Sequence, residues 1–200
     1  MQNKQILAPI ALGVLIALGA CSTAGTNSGA PAKASDIGRE TLKAGDGWAA
    51  EAGGTTGGAK ASAENIFTVS SRKELVAALA RAGAQPKIIY VKGSINLSSD
   101  DSGRELVEKD FADPAYDFEA YKKAYDPNQW NRKALVKGKP ADLSGPLEEA
   151  RKRSAQAQKK VVEIIVPSNT TIVGLGKDAR LIRGNLLLSK VENVIIRNIA

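Results

Sequence analysis

Val166-Pro167-Ser168-Asn169-Thr170-Thr171-Ile172-Val173-Gly174-Leu175-Gly176, continued by Asn185-Leu186-Leu187-Leu188 and by Asn193-Val194-Ile195-Ile196-Arg197-Asn198-Ile199, decides the fold. Short β-branched runs are cut by Asn, Gly and Ser at close intervals, leaving no room for a helix. β-Branched residues suit a pleated surface and Asn, Gly and Ser suit tight bends, so each run reads as a strand followed by a turn. Parallel strands coiling around one axis satisfy that pattern. Ile172 and Ile195 occupy similar places in their runs, 23 residues apart, inside the range of about 20 to 50 residues expected for stacked repeats. The expected class is an all-β solenoid. The chain stops at Ala200 inside an apolar strand, and it reads as a truncated, front part of something longer.

Composition is that of a soluble globular domain, with 43% hydrophobic and 24% charged residues in 200. The first segment differs. Residues 1–20 carry Lys4 in a short polar start and then an apolar run, Ile6 to Leu18, too short to span a bilayer. This is a secretory signal, and it ends in Leu18-Gly19-Ala20-Cys21, which resembles a bacterial lipoprotein signal with Cys21 as the lipidated residue. The alternative is an ordinary signal peptide with a Cys near its cleavage site. Cys21 is the only cysteine in the chain. With its thiol lipidated, none is left for a disulfide, a metal or a nucleophile. The formal net charge of +7 favours polyanionic partners. Much of it lies in Arg151-Lys152-Arg153 to Lys159-Lys160, which also reads as a solvated helix face.

Residues 21–46 are rich in Ala, Gly, Ser and Thr with little to bury, and read as a flexible tether. The ordered domain is expected over 47–200, beginning with Gly47-Trp48-Ala49, where Trp48 offers a large anchor. Ser71-Arg72-Lys73-Glu74 is a capping box. The helix behind it has Leu75, Ala78, Leu79 and Ala82 on its apolar side and Gly83 as its C′ stop. Such a helix suits the open end of a solenoid, whose apolar core and strand edges need a cap. Lys87-Ile88-Ile89-Tyr90-Val91 is the first clear strand and Ser94-Ile95-Asn96-Leu97 a second. Residues 98–160 read as a helical insertion. Asp113-Pro114 marks one start, with Phe118, Tyr121 and Tyr125 at helical spacing. Another helix starts near Pro146, with Glu148 and Glu149 in its first turn, Lys159 and Lys160 in its last, and i,i+4 pairs Glu148–Lys152 and Glu149–Arg153.

Gly174-Leu175-Gly176-Lys177-Asp178-Ala179 fits a dinucleotide fingerprint, but that motif requires a helix at its third small residue, and here strands continue. Asp100, Asp101, Asp110, Asp113 and Asp117 supply oxygens of the kind calcium takes, without the spacing of a calcium loop. Tyr116, Tyr121, Tyr125 and Trp130 could stack on sugars or fill the insertion's core. Histidine is absent, which excludes a Ser-His-Asp triad, a Cys-His pair and a His-ligated zinc. The residues themselves show a scaffold and name no catalytic, cofactor-binding or metal-binding side chain.

From Gly47 to Ala200 the sequence resembles the pectate lyase family. The resemblance rests on Gly47-Trp48-Ala49 with Gly53-Gly54-Thr55-Thr56-Gly57-Gly58, on Ile88-Ile89-Tyr90-Val91-Lys92-Gly93-Ser94-Ile95, and above all on Pro167 to Gly176 followed by Asn193 to Ile199. It implies a right-handed parallel β-helix and calcium-dependent β-elimination of polygalacturonate. In that chemistry an Arg removes the C5 proton while calcium and basic side chains neutralise the uronate carboxylate. The family's calcium ligands and catalytic Arg lie after the Asn-Val-Ile-Ile-Arg-Asn-Ile strand, so they are expected beyond residue 200, and Arg197 belongs to the structural strand. Arg183 stands where related sequences often carry a small residue. The 200 residues alone are expected to be inactive. The expected protein is a monomeric, secreted lipoprotein of the outer membrane or cell surface, held to the membrane through Cys21, with an acidic polysaccharide and not nucleic acid as partner. The rival reading is a non-catalytic, lipid-anchored β-helix that binds or displays. A weaker one is a polysaccharide hydrolase on the same scaffold.

Overall fold

The computed structural model describes residues 36–126, 128, 135–136, 139–140 and 143–200. Cys21, the signal segment and Trp130 lie outside them. Strands β1 (Ile66–Val69), β2 (Lys87–Asn96), β6 (Thr170–Ile182) and β8 (Val194–Arg197) form one parallel sheet in the order β1-β2-β6-β8. A second parallel sheet pairs β5 (Glu163–Ile165) with β7 (Asn185–Leu187). From β5 onward the chain alternates between the two sheets. Parallel neighbours need a crossover, and this alternation provides one through bends such as Arg183-Gly184, so successive passes stack as coils.

The register corrects the expected repeat. Ile172 pairs with Ile196 and Thr171 with Ile195, so the interval is 24 residues and not 23. One row across the sheet is Phe67, Ile89, Ile172 and Ile196, and the buried members of this face, Ile89, Val91, Ile95, Leu97 and Ile172, are at most 1% exposed. Each such side chain contributes about 1.5–3 kcal/mol by leaving water. Lys87–Val91 and Ser94–Leu97, expected as two strands, are one strand to Asn96 with a register irregularity between Lys92 and Ser94.

Helix α1 (Arg72–Ala80) buries Leu75, Ala78 and Leu79 in the same core. Its N-terminus differs in one detail from a reciprocal capping box. Ser71 accepts the Glu74 amide, but the Glu74 carboxylate accepts the amide and hydroxyl of Ser70. At the other end Gly83 is not C′. Arg81 is the C-cap and Ala82 takes the left-handed position at φ 62°. The physical reason is Lys87, fully buried on β2, whose ammonium donates to the carbonyls of Leu79 (2.9 Å), Arg81 and Gly83 (2.7 Å). A strand-borne cation thus satisfies carbonyls that a glycine motif usually serves. Burial lowers the Lys87 pKa.

The insertion between β2 and β5 holds α2 (Glu108–Phe111), α3 (Phe118–Ala124), α4 (Pro146–Val162) and the antiparallel pair β3 (Leu135–Val136) and β4 (Lys139–Pro140). Asp117, not Asp113, caps α3 by accepting the Ala120 amide. Asp113 is occupied by the Ala115 amide and the Arg153 guanidinium. On α4 the pairs close at i,i+3 as Glu148–Arg151 and Glu149–Lys152, because Arg153 is drawn across to Asp113.

Two N-terminal expectations also change. Trp48 is 94% exposed and anchors nothing among the described residues. Asp36–Arg39, within the stretch read as tether, packs on the outer face of the sheet. Gly38 lies against Ile88 and Tyr90, and Arg39 donates to the carbonyls of Ala59 (2.6 Å) and Ala61 (2.8 Å).

Candidate functional site

Beyond Gly93 and Gly176, the distal halves of β2 and β6 pair Ser94 with Arg180, Ile95 with Leu181 and Asn96 with Ile182. Ile95 is buried while Ser94, Arg180 and Ile182 are exposed, so this stretch presents a mixed polar face to solvent. Beside it the insertion is tied to the coil by Glu105. That carboxylate accepts from Asn96 (3.4 Å) and pairs with Arg183, which stands at the bend between β6 and β7. Between insertion and bend runs an open groove of about 630 Å³, lined in part by Ser98, Leu106, Val107, Gln158, Arg183 and Asn185. Its titratable lining groups are Glu108 and Arg183. Such a surface can hydrogen-bond a polar chain.

The five Asp residues considered for calcium do not converge. Asp100 and Asp110 both pair with Arg104, at 3.1 and 3.0 Å, and Asp113 pairs with Arg153 at 2.6 Å. Asp101 stands 4.0 Å from Arg72, and Asp117 caps α3. The carboxyls of Asp100, Asp110 and Asp113 lie below the usual range. The Ser102 hydroxyl, the Val107 amide and the Arg153 guanidinium, respectively, do most to hold them there. Among the described residues no three His, Cys, Asp or Glu side chains could hold a metal ion together. These residues therefore do not fit a calcium site.

The tyrosines pack on one another. Tyr121 lies 6.2 Å from Tyr116 and 4.6 Å from Tyr125 between ring centroids. The Tyr121 hydroxyl donates to Glu148 at 2.8 Å. Glu148 is 3% exposed and also takes both Arg151 contacts at 2.8 Å, which hold its pKa down to about 2 against the cost of burial. The tyrosines and the first basic residues of α4 thus bind the insertion together. Gly174 to Ala179 lies within β6, with no helix opening there. Gly174 is required by close approach, since a Cβ would sit 1.9 Å from the Asn198 carbonyl oxygen. Arg197 is a strand residue opposite Val173, with Nη2 3.4 Å from Glu40.

Sequence reasoning missed five working residues. Asn193 and Asn169, read only as turn punctuation, are bonded to each other. Lys87, in an apolar strand run, gives no local sign that it is buried. The Glu105–Arg183 link had one available signal, the large side chain at a bend where a small one was expected.

Comparison with known proteins gives consistent likenesses. The sequence model of the family described as "Pectate lyase" matches residues 4–123 and 133–200. The pectate lyase of Bacillus subtilis (strain 168) is 48% identical over 171 residues, covering 85% of this chain and 39% of that protein. Among solved structures, a pectate lyase bound to hexasaccharide superposes with a TM-score of 0.73 at 46% identity, over 82% of this chain and 39% of the other. The pectate lyase of Acidovorax avenae subsp. citrulli gives 0.71 at 31% identity, over 91% and 41%. The chain thus spans about two fifths of the length of these three proteins.

Proposed function

The chain belongs to the pectate lyase family, and on that premise we propose that the full-length protein cleaves polygalacturonate by calcium-dependent β-elimination. The observation that carries this reading is 48% identity to a pectate lyase over 85% of the chain, laid on a parallel coil whose strand rows are in register. The neighbour bound to hexasaccharide supports an oligosaccharide as ligand.

A proton α to a carboxylate leaves readily only when the developing charge is stabilised, so the reaction needs positive groups at the uronate carboxylate and a base at C5. Asp100, Asp110, Asp113 and Glu148 are engaged in ion pairs, and no step of the elimination is assigned to any described acid. The calcium ligands and the base belong to coils beyond the 200 residues, and those residues alone are inactive. In this reading the coil is right-handed, α1 closes its first end, and residues 98–160 flank the binding face. The whole is a monomeric lipoprotein, secreted to the outer membrane or cell surface and attached through Cys21.

The test is the full-length protein with polygalacturonate, with calcium and with a chelator. Unsaturated uronides should form only with calcium. Saturated products would indicate hydrolysis, and binding without cleavage would indicate a display module; either result overturns the proposal.

A further inference from the structure

The N-terminal segment makes an excursion along the outer face of the β1-β2-β6-β8 sheet. Going out, Gly38 lies against Ile88 and Tyr90 of β2, and Glu40 reaches Arg197 of β8 at 3.4 Å. Coming back, the amides of Thr56 and Gly57 donate to Asn193, next to β8, at 2.7 and 2.8 Å. Gly57 also lies against Thr171 and Ile195, and Gly58 against Lys87 and Ile88. Both limbs therefore turn at β8, which is an edge strand of the sheet.

The loop between the limbs, residues 41–55, is shaped by its own backbone bonds. Asp46 donates to Lys43, Ala50 to Gly47, Gly54 to Glu51 and Thr55 to Ala49. This self-supported loop nevertheless holds Trp48 94% and Leu42 49% exposed. An indole offers more apolar surface than any other side chain, and two large apolar groups on one ordered loop mark a contact surface.

We propose that the loop is a clasp, with Trp48 and Leu42 seating on the outer face of the strand that stacks on β8 in the full-length protein. Continuity carries the argument. The same segment already covers the outer row Ile88, Thr171 and Ile195 on three successive strands, and the loop leaves and rejoins at the last of them. The related proteins have the further length that would furnish the next strand, since this chain spans 39% of one of them. Charge argues against the other occupants. Within the loop Asp46 and Glu51 outnumber Lys43, which disfavours an acidic polysaccharide or an anionic lipid surface. The proposal rests on the reading that the full-length protein is a longer β-helix, but not on its being a lyase.

The experiment is hydroxyl-radical footprinting of the full-length protein with mass spectrometry, following oxidation at Trp48 in the native protein and after unfolding in denaturant. A clasped indole is oxidised several-fold more slowly in the native protein, with no sugar or membrane added. Trp48→Ala should then lower Tm with KM for polygalacturonate unchanged, and Trp48→Phe should restore much of the loss. Native oxidation at the unfolded rate overturns the proposal. So does protection that appears only with oligogalacturonate or with vesicles of anionic lipid. Uronide release from the same preparation keeps the two readings separate: protection without lyase activity sinks the functional reading alone, and activity with an unprotected Trp48 sinks the clasp alone.

Discussion

Asn193 donates its side-chain amide to the carboxamide oxygen of Asn169 at 2.7 Å, 24 residues earlier and one coil away. With its own oxygen it accepts the amides of Thr56 and Gly57. One side chain thus joins two coils and the N-terminal segment, and both asparagines sit at positive φ, 59° and 56°, where Asn is better tolerated than other non-glycine residues.

Asn193→Ala leaves two backbone amides without their acceptor and places alanine in the left-handed region. The expected loss is on the order of 2–3 kcal/mol of folding stability. Asn193→Asp keeps the acceptor but sets a carboxylate against the Asn169 oxygen, so it too destabilises. Denaturant midpoints of the full-length protein check both; an unchanged midpoint for the Ala variant would remove this link from the account.

Gly58→Ala should fail to fold or fold only at low temperature. A Cβ there would stand 1.9 Å from the Lys87 carbonyl oxygen, and that backbone is pinned within the sheet. Soluble yield and thermal melting decide it, and a stable Gly58→Ala protein would show that the segment can move off β2.

Glu148 predicts an acid-side dependence. Its folded pKa is about 2 and its ordinary value 4.5, so between these pH values the unfolded chain binds the proton that the folded chain refuses. Stability is therefore fully present above pH 4.5 and falls as pH drops towards 2, by an amount on the order of 2 kcal/mol. Glu148→Gln should flatten that part of a stability–pH curve, and an unaltered slope would assign acid sensitivity to other groups.

Arg183→Gly should change stability by less than about 1 kcal/mol. The exposed pair with Glu105 is worth roughly 0.2–1 kcal/mol, and relief of a non-glycine residue at φ 59° offsets it. Equilibrium unfolding that shows a loss of several kcal/mol would mean the pair organises the insertion.

The coil was legible because its information is local: β-branched runs and the Asn and Gly residues that end them need no distant partner to be understood. The phase was misread by one residue because Ile195 and Ile196 are adjacent and either could match Ile172. The recurring Asn169 and Asn193, bonded across the turn, are what set the register. The start of α4 at Pro146 was legible for the same local reason, whereas α2 was not foreseen and α3 is capped by Asp117 and not Asp113. The insertion's ion pairs were not legible, since Arg153 finds Asp113 only after two segments pack. The burial of Lys87 likewise depends on where α1 ends in space. The groove beside Arg183 is lined from three separate stretches, Ser98 to Glu108, Gln158 to Val162 and Arg183 to Asn185, and no short window of sequence contains it.

The insertion also imposes a schedule. Ile89 and Ile172 are neighbours across β2 and β6 but lie 83 residues apart, whereas Ile172 and Ile196 lie 24 apart. A ribosome adding about 5 to 20 residues per second needs roughly 4 to 17 seconds to bring out β6 after β2. Throughout that interval one side of β2 offers unpaired amides and carbonyls. β1 and β2, 22 residues apart at Ile66 and Ile88, can pair before β6 emerges, and β6 can pair with β8 soon after it, so it is the seam between β2 and β6 that the insertion keeps waiting.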